Sequence, residues 1–117
     1  MTIQRKETNR RLSQAVKAGS TIYLAGQLAY KNQGAPVAKQ TREILDRIDG
    51  FLKEFGTDKR SLVSATVWLE DINDYDAINE VWDAWVPEGY APARACIQAK
   101  LAMNGFKIEI AAVADVG

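Results

Sequence analysis

A chain of 117 residues, 47% of them apolar, has the length of one domain (1–117) and a composition that is globular rather than disordered. Its 15 basic and 15 acidic residues cancel, so it has no long-range field to gather nucleic acid or anionic lipid. It has no histidine and a single cysteine, which excludes histidine-activated nucleophiles, histidine general bases, intrachain disulfides and nearly every zinc site.

No run of about 18 apolar residues is present to span a membrane. The opening MTIQRKETNRR lacks the apolar core of a signal peptide. A lone free thiol suits a reducing compartment, so the reading is a cytoplasmic protein. Residues 1–11 carry four basic side chains (Arg5, Lys6, Arg10, Arg11) and read as a solvated arm. Leu12 to Lys17 reads as a short strand, and Gly19-Ser20 as a turn. Thr21 to Leu28 is a better strand, with Ile22, Leu24 and Gly26 alternating against Tyr23, Ala25 and Gln27. Gly26 weakens a strand unless a bend or the close approach of another group requires it.

Residues 29–36 (AYKNQGAP) form a loop by their turn chemistry. A helix follows from Val37 to Phe55, with Ile44, Leu45, Ile48, Phe51, Leu52 and Phe55 in one helical stripe and Gly56 as its stop. Leu62 to Glu70 alternates as a strand. Asn73 is placed to cap a second helix over about Asp74 to Val86, with Asp74 and Asp76 in its first turn and Pro87 and Gly89 beyond its end. The acidic run EDINDYD lacks the glycine and terminal glutamate of an EF-hand, so capping explains it and no metal site is expected. Trp82 and Trp85 read as packing against the sheet.

Tyr90 to Val113 reads as a hairpin closed by Asn104-Gly105. In that register Met103 pairs with Phe106, Gln98 with Ala111, and Lys100 with Glu109. Alternation places Arg94, Cys96, Gln98 and Lys100 on one face together with Glu109, and Ala93, Ala95 and Ile97 on the other. Arg94 is suited to gripping a carboxylate or phosphate in a planar fork, or to an interface ion pair. Glu109 is a general base or the ion-pair partner of Lys100. Cys96, with no histidine to activate it, reads as a small buried thiol rather than a nucleophile. Arg94 and Lys100 lie roughly 20 Å apart along the strand at about 3.3 Å per residue. Arg94 and Glu109 of one hairpin therefore do not reach one small ligand, and a shared site needs two subunits.

The order β-β-α-β-α-β-β gives an α+β fold, with two helices on one face of a mixed sheet. The other face must then be solvated or covered by another copy.

PARAC at 92–96 and IEIAAVA at 108–114, with LAGQLA at 24–29, resemble the Rid family of reactive-intermediate imine/enamine deaminases, also called YjgF-like proteins. RRLSQAV and NEVWDAWVPEGYAPARACIQA resemble the YoaB-like branch most. The resemblance covers nearly the whole chain from about Leu12. It implies a chorismate-mutase-like fold, trimeric, with an inner barrel and a cleft at each subunit interface. It implies cofactor-independent hydrolysis of 2-imino acids or their enamines to 2-oxo acids and ammonia. In that picture Arg94 clamps the substrate carboxylate, backbone groups of Cys96 and Gly26 orient imine and water, and Glu109 directs the attacking water. Leu12 stands where many relatives carry a tyrosine at the substrate site, and Ala25 replaces the serine of SGQ. Each change removes a hydroxyl and bears on substrate range and rate. Two other readings stand beside this one. A trimer could bind small carboxylic acids without turnover. RNA cleavage or translational inhibition is opposed by zero net charge and the lack of histidine.

Overall fold

The computed structural model describes residues 2–117. Six strands form one sheet: β1 (Ile3–Thr8), β2 (Ser13–Ala18), β3 (Thr21–Gln27), β4 (Leu62–Leu69), β5 (Ala93–Gln98) and β6 (Ile108–Asp115), in the order β1-β2-β3-β6-β4-β5. All pairings are antiparallel except β4 with β5, which is parallel. The helices α1 (Val37–Glu54) and α2 (Tyr75–Trp85) cover one face of this sheet.

Period-two alternation decides which strand residues face the helices. Strand β4 buries Leu62, Ala65, Val67 and Leu69, and β6 buries Ile108, Ile110, Ala112 and Ala114. Helix α1 buries the predicted stripe of Ile44, Leu45, Ile48, Phe51 and Leu52 against them, and α2 adds Ile78 and Trp82. The opposite sheet face has no second layer. Tyr23, Val113, Ser64 and Ala93 lie side by side across it in register, followed by Ala111, Thr66 and Ala95, then Glu109, Trp68 and Ile97.

The structure departs from the sequence reading in several places. The arm at residues 1–11 is largely a strand; only its Met1 lies outside the described residues. Strand β1 pairs with β2 through a turn held by Asn9, whose Oδ1 accepts from the N–H groups of Arg11 (2.8 Å) and Leu12 (3.0 Å). Every β1 residue except Lys6 is exposed, so the strand has no apolar alternation by which to be read. The edge is nonetheless tied down, by a Thr8–Ser13 hydroxyl contact of 2.7 Å and by Lys6 Nζ lying 5.6 Å from the centre of the Phe55 ring.

The hairpin is the larger correction. Strand β4 lies between β5 and β6, so the Met103–Phe106, Gln98–Ala111 and Lys100–Glu109 pairs do not form. Instead Gln98 lies beside Leu69, and Glu109 beside Trp68. Asn104-Gly105 is a turn, but only Gly105 has positive φ (86°), whereas a type I′ hairpin needs it at both positions. The loop is held by Gln40 of α1, which is fully buried. Its Nε2 donates to the Gly105 carbonyl (2.8 Å) and its Oε1 accepts from Lys107 N–H (2.8 Å). Gln33 Nε2 donates to the Asn104 carbonyl at 2.6 Å. The loop is thus bound to the α1 side of the molecule rather than closing on itself.

The cap of α2 also differs. Asn73 does not cap α2, whose N-cap Asp74 makes no side-chain capping hydrogen bond; Asp71 caps the short 3-10 turn Ile72–Asp74 ahead of it, accepting from Asn73 N–H at 2.9 Å.

Candidate functional site

The predicted site residues separate into two groups on opposite faces of the sheet. Arg94, beside Ala65 of β4, points to the helical layer, and so do Cys96 and Gln98. Arg94 Nη2 donates to Asn79 Oδ1 at 2.9 Å and to Tyr75 Oη at 3.3 Å. Its guanidinium lies 5.0 Å from the Trp82 ring centre and 5.8 Å from that of Tyr75, both within cation–π range. Its Nη1 is shielded from water and has no hydrogen-bond partner. Among the described residues the sole ion pair within 4.0 Å joins Asp58 and Arg60, so the charge of Arg94 has no carboxylate beside it. A partly buried guanidinium with one arm empty lacks an acceptor.

Cys96 packs against the edge of the core. Burial pushes its thiol pKa up, and Arg94 pulls it down by less, so the thiol stays protonated at neutral pH. Gln98 accepts from Ile72 N–H at 3.0 Å and ties β5 to the turn ahead of α2.

Glu109 is on the uncovered face, leaning over β3. A Cβ built on Gly26 would overlap Glu109 Oε2 and lie 2.8 Å from its Cδ and 3.0 Å from its Cγ. The glycine is therefore required by the approach of this carboxylate, at a register shift of β3 between Leu24 and Gln27. Leu12, 45% exposed, immediately precedes β2. Because β2 and β6 both run antiparallel to β3, Leu12, Gly26 and Glu109 gather at the same end of the sheet.

Two strand spacings and three residues separate Glu109 from Arg94, roughly 10 Å in each direction. Together with the opposite orientation, this keeps the two groups of one chain apart. The sequence reading placed them on one face; the insertion of β4 reverses that. The Lys100–Glu109 ion pair is likewise absent.

Burial raises the pKa of Glu109 above its ordinary 4.5. The folded state thus favours the protonated form. That preference stabilises the fold fully below the unfolded value and is lost as pH rises through the folded one. Glu109→Gln is expected to melt at a higher temperature than the wild type at pH 7. The gap should close as the pH is lowered below about 4, where both forms are neutral. A gap that stays constant across this range in thermal melts refutes the assignment.

Asn79 and Tyr75, which hold Arg94, were not read as site residues from sequence. Their signal was their i, i+4 spacing on the α2 stripe that includes Trp82. Trp82 is 6% exposed and serves both as core and as the platform for Arg94. Two clefts, of 420 and 370 Å³, open on the outer surface of α1 and between α1 and α2. Neither contains Arg94 or Glu109. A site built from those residues is incomplete in one chain.

A two-helix layer on a mixed six-stranded sheet, with an arginine fork on β5 and a carboxylate seated on a β3 glycine, can be compared with known proteins. The family profile described as Endoribonuclease L-PSP matches residues 2–116. The RutC family protein YoaB of Escherichia coli is 40% identical over 116 residues, 99% of this chain and 100% of that protein. A 2-iminobutanoate/2-iminopropanoate deaminase of Capra hircus is 38% identical over 110 residues, 90% of this chain and 80% of that protein. The crystal structure of a YjgF-family member from Neisseria meningitidis superposes with a TM-score of 0.94 at 39% identity, covering 100% of this chain and 97% of the other. The chain belongs to the Rid, or YjgF-like, family.

Proposed function

We propose that this protein hydrolyses reactive 2-imino acids, or their enamine tautomers, to 2-oxo acids and ammonia, in a cleft formed between two of its copies. The observation that carries this reading is Arg94: a stacked, oriented guanidinium with an unpaired arm and no carboxylate beside it. That is the chemistry of a carboxylate clamp. The 38% identity to a deaminase of 2-imino acids supports the same substrate class.

The chemistry needs little more than positioning. The C=N carbon of an imino acid is already electrophilic. Water adds to it as the C–O bond forms, the nitrogen takes up protons, and the C–N bond breaks to release ammonia and leave the carbonyl. No electrons are gained or lost overall. A carboxylate with a raised pKa, such as Glu109, is suited to orienting the water and taking its proton. Arg94 and Glu109 come from different copies in this reading, because one chain holds them on opposite faces.

Assembly as a trimer follows from the same reading, with the uncovered sheet faces turned inward. Ala95 and Val113 lie on that face. Ala95→Glu should yield a monomer in sedimentation and lose ammonia release by at least about 100-fold, because each half-site loses its complement. A monomeric Ala95→Glu variant with full activity excludes the interfacial cleft.

The test of catalysis is Glu109→Gln. Ammonia release from imino acids generated in place by an amino-acid oxidase should fall by about 10² to 10⁴-fold. Binding of the 2-oxo acid product should persist. If the wild type binds 2-oxo acids but does not accelerate ammonia release, the protein is a binder of carboxylic acids rather than a hydrolase.

A further inference from the structure

We infer that Tyr75 is a substrate-binding residue, its hydroxyl proton acting as a second donor to the carboxylate that Arg94 grips. This rests on the proposed function and goes beyond it by enlarging the site.

Arginine carries donors only. In the 3.3 Å contact between Arg94 Nη2 and Tyr75 Oη, the phenol oxygen is therefore the acceptor. Its proton is not used in that contact. A hydroxyl that accepts from a cation becomes a better donor through the second half of the same chain. The group beside Arg94 is thus an O–H donor polarised by the guanidinium.

Its placement fits. Tyr75 is the first residue of α2 and 41% exposed, while the guanidinium stacked near it is partly buried. Nη2 is already committed to Asn79, and Nη1 is the arm without a partner. One carboxylate has two oxygens: Nη1, which has no surface open to solvent in one chain, supplies a donor for one when the guanidinium turns outward, and the Tyr75 O–H supplies a donor for the other. Nearby charge does not replace this geometry. Asp71, Asp74 and Asp76 flank Tyr75 in the chain and repel an anion, so selection must come from directed hydrogen bonds. The ring stacks beside the guanidinium with or without its hydroxyl, so Tyr75→Phe removes the donor alone.

The test is calorimetric titration of 2-oxobutanoate against the wild type and Tyr75→Phe, with the tyrosine ultraviolet difference spectrum recorded on binding. The expected result is about a tenfold rise in Kd for the variant, the scale of one hydrogen bond to a charged group. A phenol difference signal should appear in the wild type and vanish in the variant. Equal affinity in the two proteins overturns the role of Tyr75 and leaves the Arg94 clamp standing. A weaker variant with no phenol signal in the wild type also overturns it, since Tyr75 then acts only by holding Arg94. If the wild type itself does not bind the 2-oxo acid, the clamp falls and Tyr75 with it.

Discussion

Arg94→Ala is expected to lower kcat/KM for a 2-imino acid by on the order of 10²-fold, the loss expected when the charge-assisted hydrogen bond of Nη1, about 2 kcal/mol, goes and the Tyr75 hydroxyl loses the guanidinium that polarises it. The fold should survive, because Arg94 lies on the edge strand β5 and its guanidinium contacts the outer core through Trp82 rather than filling it. Removing it also frees Asn79 and Tyr75 to meet water. Arg94→Lys separates charge from geometry. An ammonium keeps the charge but offers neither the planar fork nor the stacking on Trp82, so it should recover only part of the loss. The measurement is steady-state ammonia release, with the oligomeric state checked by sedimentation. Full turnover in a folded Arg94→Ala protein excludes the carboxylate clamp.

The parts of the fold legible in the sequence are those where burial imposes a period. The α1 stripe and the β4 and β6 alternations each face a single apolar layer, and their positions follow from spacing alone. Strand β1 was not legible, because an exposed edge buries nothing and its residues obey no pattern. The hairpin misled for a different reason. Asn-Gly is a local signal, and local chemistry does not reveal that a distant side chain, Gln40, captures the turn's carbonyl. Alternation correctly grouped Arg94 with Cys96 and Gln98. It could not say that Glu109 points the other way, because that depends on which strand lies beside which. The PARAC and IEIAAVA resemblance identified the family from residues that no periodicity argument would link. The partners of Arg94 on α2 were hidden because their spacing is also that of ordinary helix packing.

Gly26 is where sequence and structure meet most directly, since its presence inside a strand asks for a close neighbour and Glu109 is that neighbour. Gly26→Ala is expected to reduce ammonia release by about 100-fold while changing global stability little. The added methyl would occupy the place of Glu109 Oε2, with Cδ and Cγ at 2.8 and 3.0 Å, so the carboxylate must rotate away. The φ of Gly26 is not in the left-handed region, so an alanine backbone fits there without strain. The side chain that moves is half-buried and flexible, and the core lies on the other face of the sheet. The cost is thus one of position, and a displacement of about 1 Å in a catalytic group is enough for a loss of this size. The pH–rate profile supplies the control. A carboxylate pushed off its seat into water loses the burial that raises its pKa, so the residual activity of Gly26→Ala should rise with pH at a lower value than the wild type. A variant with wild-type activity and an unshifted profile removes Glu109 from the reaction.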